Sequence, residues 1–346
     1  MSHQPPSQSE WAMLYQAAVA FKAAAPWEWM YDSDLFGVQN PADGEIGYCC
    51  IMGNLGEHFA LGLYRGTAGL AGYLAIQSGE FGDEPDPLAI LATQTCLMAS
   101  FEDRAYLEKP DLAVIKSLGL KFRGRNAWPQ FRDHQPTYFP WYLSAEQARF
   151  LTLALEQSVD VALRFQANPD LLEPPHEGQY LVRVPEQHAA GLAWHDAWMA
   201  PAAFTGRAIE IPQVDQPRLR QLKQTLRAGP SVWEADLFLS PTPIQEGKDQ
   251  RPFYPYMSLW VDQRSGMVLP PHLAGTSTYL AEFQTHVLSL IEQSGALPKE
   301  IHVLFPELVA LLEPITKPLG IKLRRAKELP MLEEARTSLL QYFDRF

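Results

Sequence analysis

The sequence predicts two domains, an acidic α+β domain over residues 1–172 and a mixed α/β domain over residues 173–346. Three observations carry this. At 346 residues the chain is long enough to bury two separate cores. Charge is shared unevenly: residues 1–178 hold 11 Lys and Arg against 22 Asp and Glu, residues 179–346 hold 17 against 18, and the contrast marks a division. The element order also changes, from a hairpin set among helices to three strands followed by alternating helices and strands.

In the first half, Trp11, Leu14, Ala18 and Phe21 at helical spacing predict a helix capped by Ser9 and stopped by Pro26. Two apolar runs, Gly47–Gly53 and His58–Tyr64, flank Asn54-Leu-Gly-Glu57 and predict a β-hairpin. A helix is expected from Gly66 to Gln77, an acidic loop from Phe81 to Pro87, and strands at Thr95–Phe101 and Gly119–Arg123. Ser144-Ala-Glu-Gln147 is a capping-box pattern that starts a helix running to about Gln166. Asn168 to Pro175, with three prolines, is the expected linker.

In the second half, strands are expected at Tyr180–Val184 and Ala208–Ile211, then a helix from Gln216 to Arg227. Strands at Trp233–Leu239, Tyr256–Asp262 and Gly266–Leu269 follow, then a helix over Thr278–Gln293. A strand at Ile301–Phe305, a helix at Glu307–Lys317, a strand at Ile321–Arg325 and a helix at Pro330–Phe343 complete the order.

Trp233-Glu-Ala-Asp236-Leu237, Tyr256 to Gly266, and Leu297-Pro-Lys-Glu-Ile301-His-Val-Leu-Phe305 resemble the ribonuclease H-like core of integrases and transposases. The resemblance implies a ββ β α β α β α order for the second domain. It also implies a two-metal phosphoryl-transfer centre, which needs three or four convergent carboxylates to hold Mg²⁺ or Mn²⁺. Asp236 takes the place of the first acid, and Glu282 lies on the helix after the third strand. The second acid would fall in Val303-Leu-Phe-Pro306, which offers no ligand. Asp236, Asp262 and Glu282 are therefore the candidates for catalysis, and Asp236 and Glu282 those for metal, in a scaffold expected to lack its catalytic acids.

Pro26-Trp27, Asp32 to Gly37, Gly47-Tyr-Cys, Met52-Gly53, Gly56-Glu57 and Tyr64-Arg-Gly66 belong to a wider pattern. With Trp233 to Asp236 and Tyr254-Pro255 up to Asp262, they resemble an uncharacterised bacterial family of two-domain proteins. That resemblance covers most of the chain and implies no activity.

Asp32 and Asp34 with Asn40, Asp43 and Glu45 lack the helix pair and terminal Glu of an EF-hand and read as a solvated acidic turn. Cys49 and Cys50 are adjacent in a strand, so they point to opposite faces and cannot share a zinc ion. His188 and His195, seven apart, would align on a helix without making a metal site. Gly66, Gly69 and Gly72 are spaced for close helix approach to a sheet, not for a dinucleotide loop. Lys116, Lys121, Arg123, Arg125 and Arg132 interleave with Phe122, Trp128 and Phe131, which reads as a solvated face over inward aromatics. Lys322, Arg324, Arg325 and Lys327 read as edge-strand charges that block aggregation.

Three cysteines, no apolar run of membrane length and a polar start from Met1 to Glu10 lead to the expectation of a cytoplasmic protein without a signal peptide. A net charge of −12 disfavours a phosphate backbone as ligand. The expected function is a non-catalytic binding or adaptor role through protein contacts, with no cofactor. The alternatives are a metal-dependent nucleic-acid enzyme drawing on acids such as Asp262 or Glu234, and a small-ligand binder at an interdomain cleft.

Overall fold

Ser7 opens α1 (Gln8–Ala24): its hydroxyl accepts from the Glu10 N–H while the Glu10 carboxylate accepts from the Ser7 N–H. The expected cap, Ser9, lies in the first turn instead. Only Ser7 has a glutamate three residues on, and a reciprocal box needs that spacing. Leu14, Ala18 and Phe21 are buried, and Ala25, left-handed at φ 47°, turns the chain before Pro26.

The computed structural model describes residues 4–79, 87–189, 191–204, 210–248 and 250–343, the side chains of residues 340, 342 and 343 excepted. The chain divides into residues 1–136 with 140–206, and residues 137–139 with 207–346.

The first unit is built on β1 (Phe36–Gln39), β2 (Ile46–Met52), β3 (Ala60–Arg65), β4 (Cys96–Glu102), β5 (Trp128–His134), β6 (Tyr180–His188) and β7 (Gly191–Met199). Their order is β5-β4-β3-β2-β1-β6-β7, antiparallel throughout except for the parallel β1–β6 pair. Its helices after α1 are α2 (Gly66–Gln77), α3 (Pro87–Leu91), α4 (Lys109–Ser117) and α5 (Ala145–Ala167). Phe36, Val38, Cys49, Ile51, Leu61 and Leu63 face α1 and α5, whereas Cys50, Tyr64 and Cys96 face Leu70 and Tyr73 of α2. The sheet is thus covered on both sides.

The expected hairpin is β2–β3, and the Ser144 capping box starts α5 as predicted. Three expectations change. Gly119–Arg123 is irregular, since Gly119 and Gly124 have φ of 68° and 100°, and the strand forms later, at β5. The Tyr180 strand, expected to open the second half, pairs with β1 in the first sheet, so a division near residue 172 falls inside the first unit. His188 and His195 lie on β6 and β7, not on a helix. The expected acidic loop lies outside the described residues from Phe81 to residue 86, and Pro87 begins α3.

The second unit contains α6 (Gln216–Thr225), β8 (Val232–Leu239), β9 (Tyr256–Asp262), β10 (Met267–Val268), β11 (His272–Ala274) and α7 (Tyr279–Ser294). It continues with β12 (Glu300–Val303), α8 (Pro306–Leu319), β13 (Lys322–Arg325) and α9 (Pro330–Phe343). Sheet order is β10-β9-β8-β12-β13, with β11 also on β9. Strands β8 to β11 pair antiparallel, and β12 and β13 run parallel to β8. Trp233, Ala235 and Trp260 pack against Phe283 and Val287 of α7 and Leu312 of α8; Leu259 and Val261 pack against Leu329 and Leu332 at α9. Of the strand expected at Ala208–Ile211, Ala208 and Ile209 lie outside the described residues, and Glu210 and Ile211 are irregular. Among the described residues no helix is long and apolar enough to cross a membrane.

Candidate functional site

Alternation along β8 decides where its acids point. Trp233, Ala235 and Leu237 face α7, so Glu234 and Asp236 face α9. Glu234 is wholly buried, and its Oε2 accepts from the Leu332 N–H at 2.9 Å in the first turn of α9. A carboxylate there meets both an unpaired helical N–H and the positive end of the helix dipole. Among the described residues its Oε1 has no hydrogen-bond partner.

Asp236, 3% exposed, lies under the same helix. Burial raises its pKa; the Leu237 N–H at 2.8 Å and the charge of Arg336 oppose this without reversing it. The Arg336 guanidinium sits 4.4 Å from the ring centre of Phe238, on the same side.

Asp262 sits opposite Trp233 in the β8–β9 register, hence on the other face of the sheet from Asp236. Its Oδ1 accepts from the N–H of Arg264, the N–H of Ser265 and the Ser265 hydroxyl. Burial pushes its pKa up, but these bonds outweigh it and hold the carboxyl below the ordinary value. The residue closes a turn.

Glu282, on α7, also belongs to that other side. It takes the Thr278 hydroxyl and lies 2.8 Å from His272 Nε2, and these contacts depress its pKa. The three sequence candidates are therefore not brought together: Asp236 is separated from Asp262 and Glu282 by the sheet. Among the described residues no group of three or more His, Cys, Asp or Glu is placed to hold a metal ion.

Beside Glu282 is an array that the sequence did not disclose. The His272 and His286 rings are 5.1 Å apart, and His286 Nδ1 lies 3.2 Å from the Ser258 hydroxyl. Burial, with the nearby His272, pushes the His286 pKa down to about 4, so the ring is neutral. Ser258 is 1% exposed and already accepts from the Trp260 indole at 2.6 Å, so it is a packed hydroxyl without access to a substrate. No spacing in the sequence links these residues; β-pairing and α7 do.

In the first unit, a hollow of about 770 Å³ is lined by Asn40, Asp43, Arg65, Gln135, Glu146 and Arg149, among others. Arg65 pairs with Glu45 and Arg149 with Glu10, so neither guanidinium offers an uncompensated charge. The acidic turn has local partners: Asp34 accepts from the Tyr31 N–H, Asp43 from the Glu45 N–H, and Asn40 from the Ala42 N–H. In the basic-aromatic stretch, Arg132 is buried in a two-pronged pair with Asp111 at 2.7 and 2.9 Å, and Phe131 is buried against Tyr15. Cys49 and Cys50 do face opposite sides of the sheet. Near the β13 edge, Glu300 gathers His302, Arg324 and Lys322 within 3.8 Å.

Two family models match the chain. One, described as Domain of unknown function (DUF7309), matches residues 11–183, half of the chain. The other, described as Domain of unknown function (DUF6930), matches residues 218–340. Comparison with curated proteins gives no match.

Proposed function

Since the chain belongs to the DUF7309 family and joins to that domain a region matching DUF6930, we propose that it is a non-catalytic binding protein. In this reading the second unit is a ribonuclease H-like scaffold without two-metal chemistry. Its strand arrangement, three antiparallel strands and then two parallel to the first with intervening helices, supports the scaffold. The observation that carries the loss of chemistry is the placement of the acids. Two-metal catalysis needs carboxylates converging on one point, whereas Asp236 and Asp262 lie on opposite faces. Three of the acids are also engaged in holding the fold: Glu234 on α9, Asp262 in its turn, and Glu282 with Thr278 and His272. The residues present therefore do not fit a Mg²⁺ or Mn²⁺ pair, and no reaction step is assigned to them.

The ligand class that fits best is protein. A net charge of −12 opposes nucleic acid at long range, and the buried Arg132 cannot reach a phosphate.

The test is calorimetric titration with Mn²⁺ of the wild type and of Asp236→Asn. The expected result is no specific binding in either. Binding of about one or two equivalents that disappears in Asp236→Asn would overturn this reading in favour of a metal-dependent enzyme.

A further inference from the structure

The two sheets end in four edges, and three of them are blunted. In β5, Pro129 lacks an N–H, and Asp133 exchanges backbone hydrogen bonds with Trp141. The β10–β11 edge is interrupted by Pro270 and Pro271. The β13 edge is four residues long and carries Lys322, Arg324 and Arg325.

Among the described residues the fourth edge, β7, has no such protection. It is nine residues long, Gly-Leu-Ala-Trp-His-Asp-Ala-Trp-Met, without proline, lysine or arginine. It pairs with β6 along its whole length, and among the described residues nothing else bonds to its backbone. In an antiparallel ladder alternate residues turn both N–H and C=O away from the partner strand, so β7 presents an unused row of both. The β1–β6 register reaches only Arg183, leaving the rest of the hairpin standing beyond the sheet. Glu186, Gln187, His188, Leu192 and Ala193 are exposed there. A two-stranded ribbon of this kind is marginal in water on its own.

We infer that β7 is a dimerisation edge, pairing antiparallel with β7 of a second copy about a two-fold axis at His195. This concerns the first unit alone and holds whether or not the second unit binds metal. A second copy is the occupant that the strand's own chemistry fits. Its one carboxylate, Asp196, is neutralised by Arg164 and Arg183, so the edge opposes no bare like charges when it meets itself. An axis at the central residue pairs the strand over its full length, the self-complementary arrangement of a two-fold interface. Leu192 then faces Trp198 of the copy, Ala193 faces Ala197, and Trp194 faces Asp196. A strand of a different protein would find, among the described residues, no uncompensated charge on this edge to select it.

Light scattering of the full chain at micromolar concentration and pH 8 should give twice 39.0 kDa. The double variant A193K/A197K places lysines opposite each other across the axis and should run at 39.0 kDa with an unchanged far-UV spectrum. A second variant reads the register. His195→Cys would lie opposite its own copy, about 4.5–5.5 Å between Cα atoms, and should form a covalent dimer on mild oxidation. Leu192→Cys should not. A monomeric wild type, a dimer unaffected by the two lysines, or equal cross-linking of both cysteine variants would overturn the inference.

Discussion

Glu234 sets its carboxyl group against the first turn of α9, and the bond to Leu332 ties together residues 98 apart in sequence. Replacing it with alanine leaves that buried N–H unpaired, while relieving the cost of the unpartnered Oε1. The expected loss is about 2 kcal/mol, read from denaturant unfolding followed by tryptophan fluorescence. Asp236 should behave in the opposite sense. Because burial raises its pKa in the folded chain, the wild type is favoured when the group is protonated and disfavoured as pH rises through that raised value. Asparagine carries no charge at either end. Asp236→Asn should therefore melt above the wild type at pH 7, with the advantage vanishing below the ordinary aspartate value of 3.8. Equal melting temperatures at both pH values would remove the assignment. At this scale the sequence was only partly legible: Asp236 could be placed on a strand, but the opposition of Asp262 depends on the β8–β9 register, which no spacing reveals.

Among the elements, α2 shows what small residues three apart accomplish. A Cβ on Gly72 would sit 2.3 Å from the Thr93 carbonyl oxygen, and one on Gly69 would sit 2.7 Å from that of Thr95. The backbone of the helix lies against the chain entering β4, where no side chain fits. Gly72→Ala should cost about 2 kcal/mol or more, because backbone and not a flexible side chain must yield. Thermal melts against Ala71→Gly, in the same helix but away from this contact, would separate overpacking from helix propensity. This contact was legible in advance, since the Gly-x-x-Gly-x-x-Gly rhythm already argued for close approach. In the second unit β8 and β9, runs of eight and seven residues, were legible too, whereas the three-residue β11 was not. β7 was not: His188 and His195 share a helical interval, and the Trp-Ala alternation between apolar and exposed positions is weak in a strand with little burial.

For the molecule as a whole, the division into units is carried by separate cores. One gathers Phe21, Phe36, Leu97 and Leu151 around the first sheet, and the other Trp260, Phe283, Ile301 and Leu312 around the second. Calorimetry should accordingly resolve two unfolding transitions. Gly72→Ala should lower one and Glu234→Ala the other; a single peak moved by both would mean one cooperative unit. The charge contrast in the sequence signalled two halves, but the boundary could not be read from it. The proline-rich stretch after α5 has linker composition, yet it leads through a 3-10 turn at Pro169–Leu172 into a strand parallel to β1. Pairing partners distant in sequence override local composition there.

The three thiols are 0–2% exposed, on β2 and β4, and burial raises their pKa, that of Cys49 to about 12. None lies beyond residue 96. A thiol reagent added to the folded chain is thus answered only when the first sheet opens, and the second unit stays silent. The rate of labelling is a clock for one half of the molecule, running in the intact chain and needing no engineered probe.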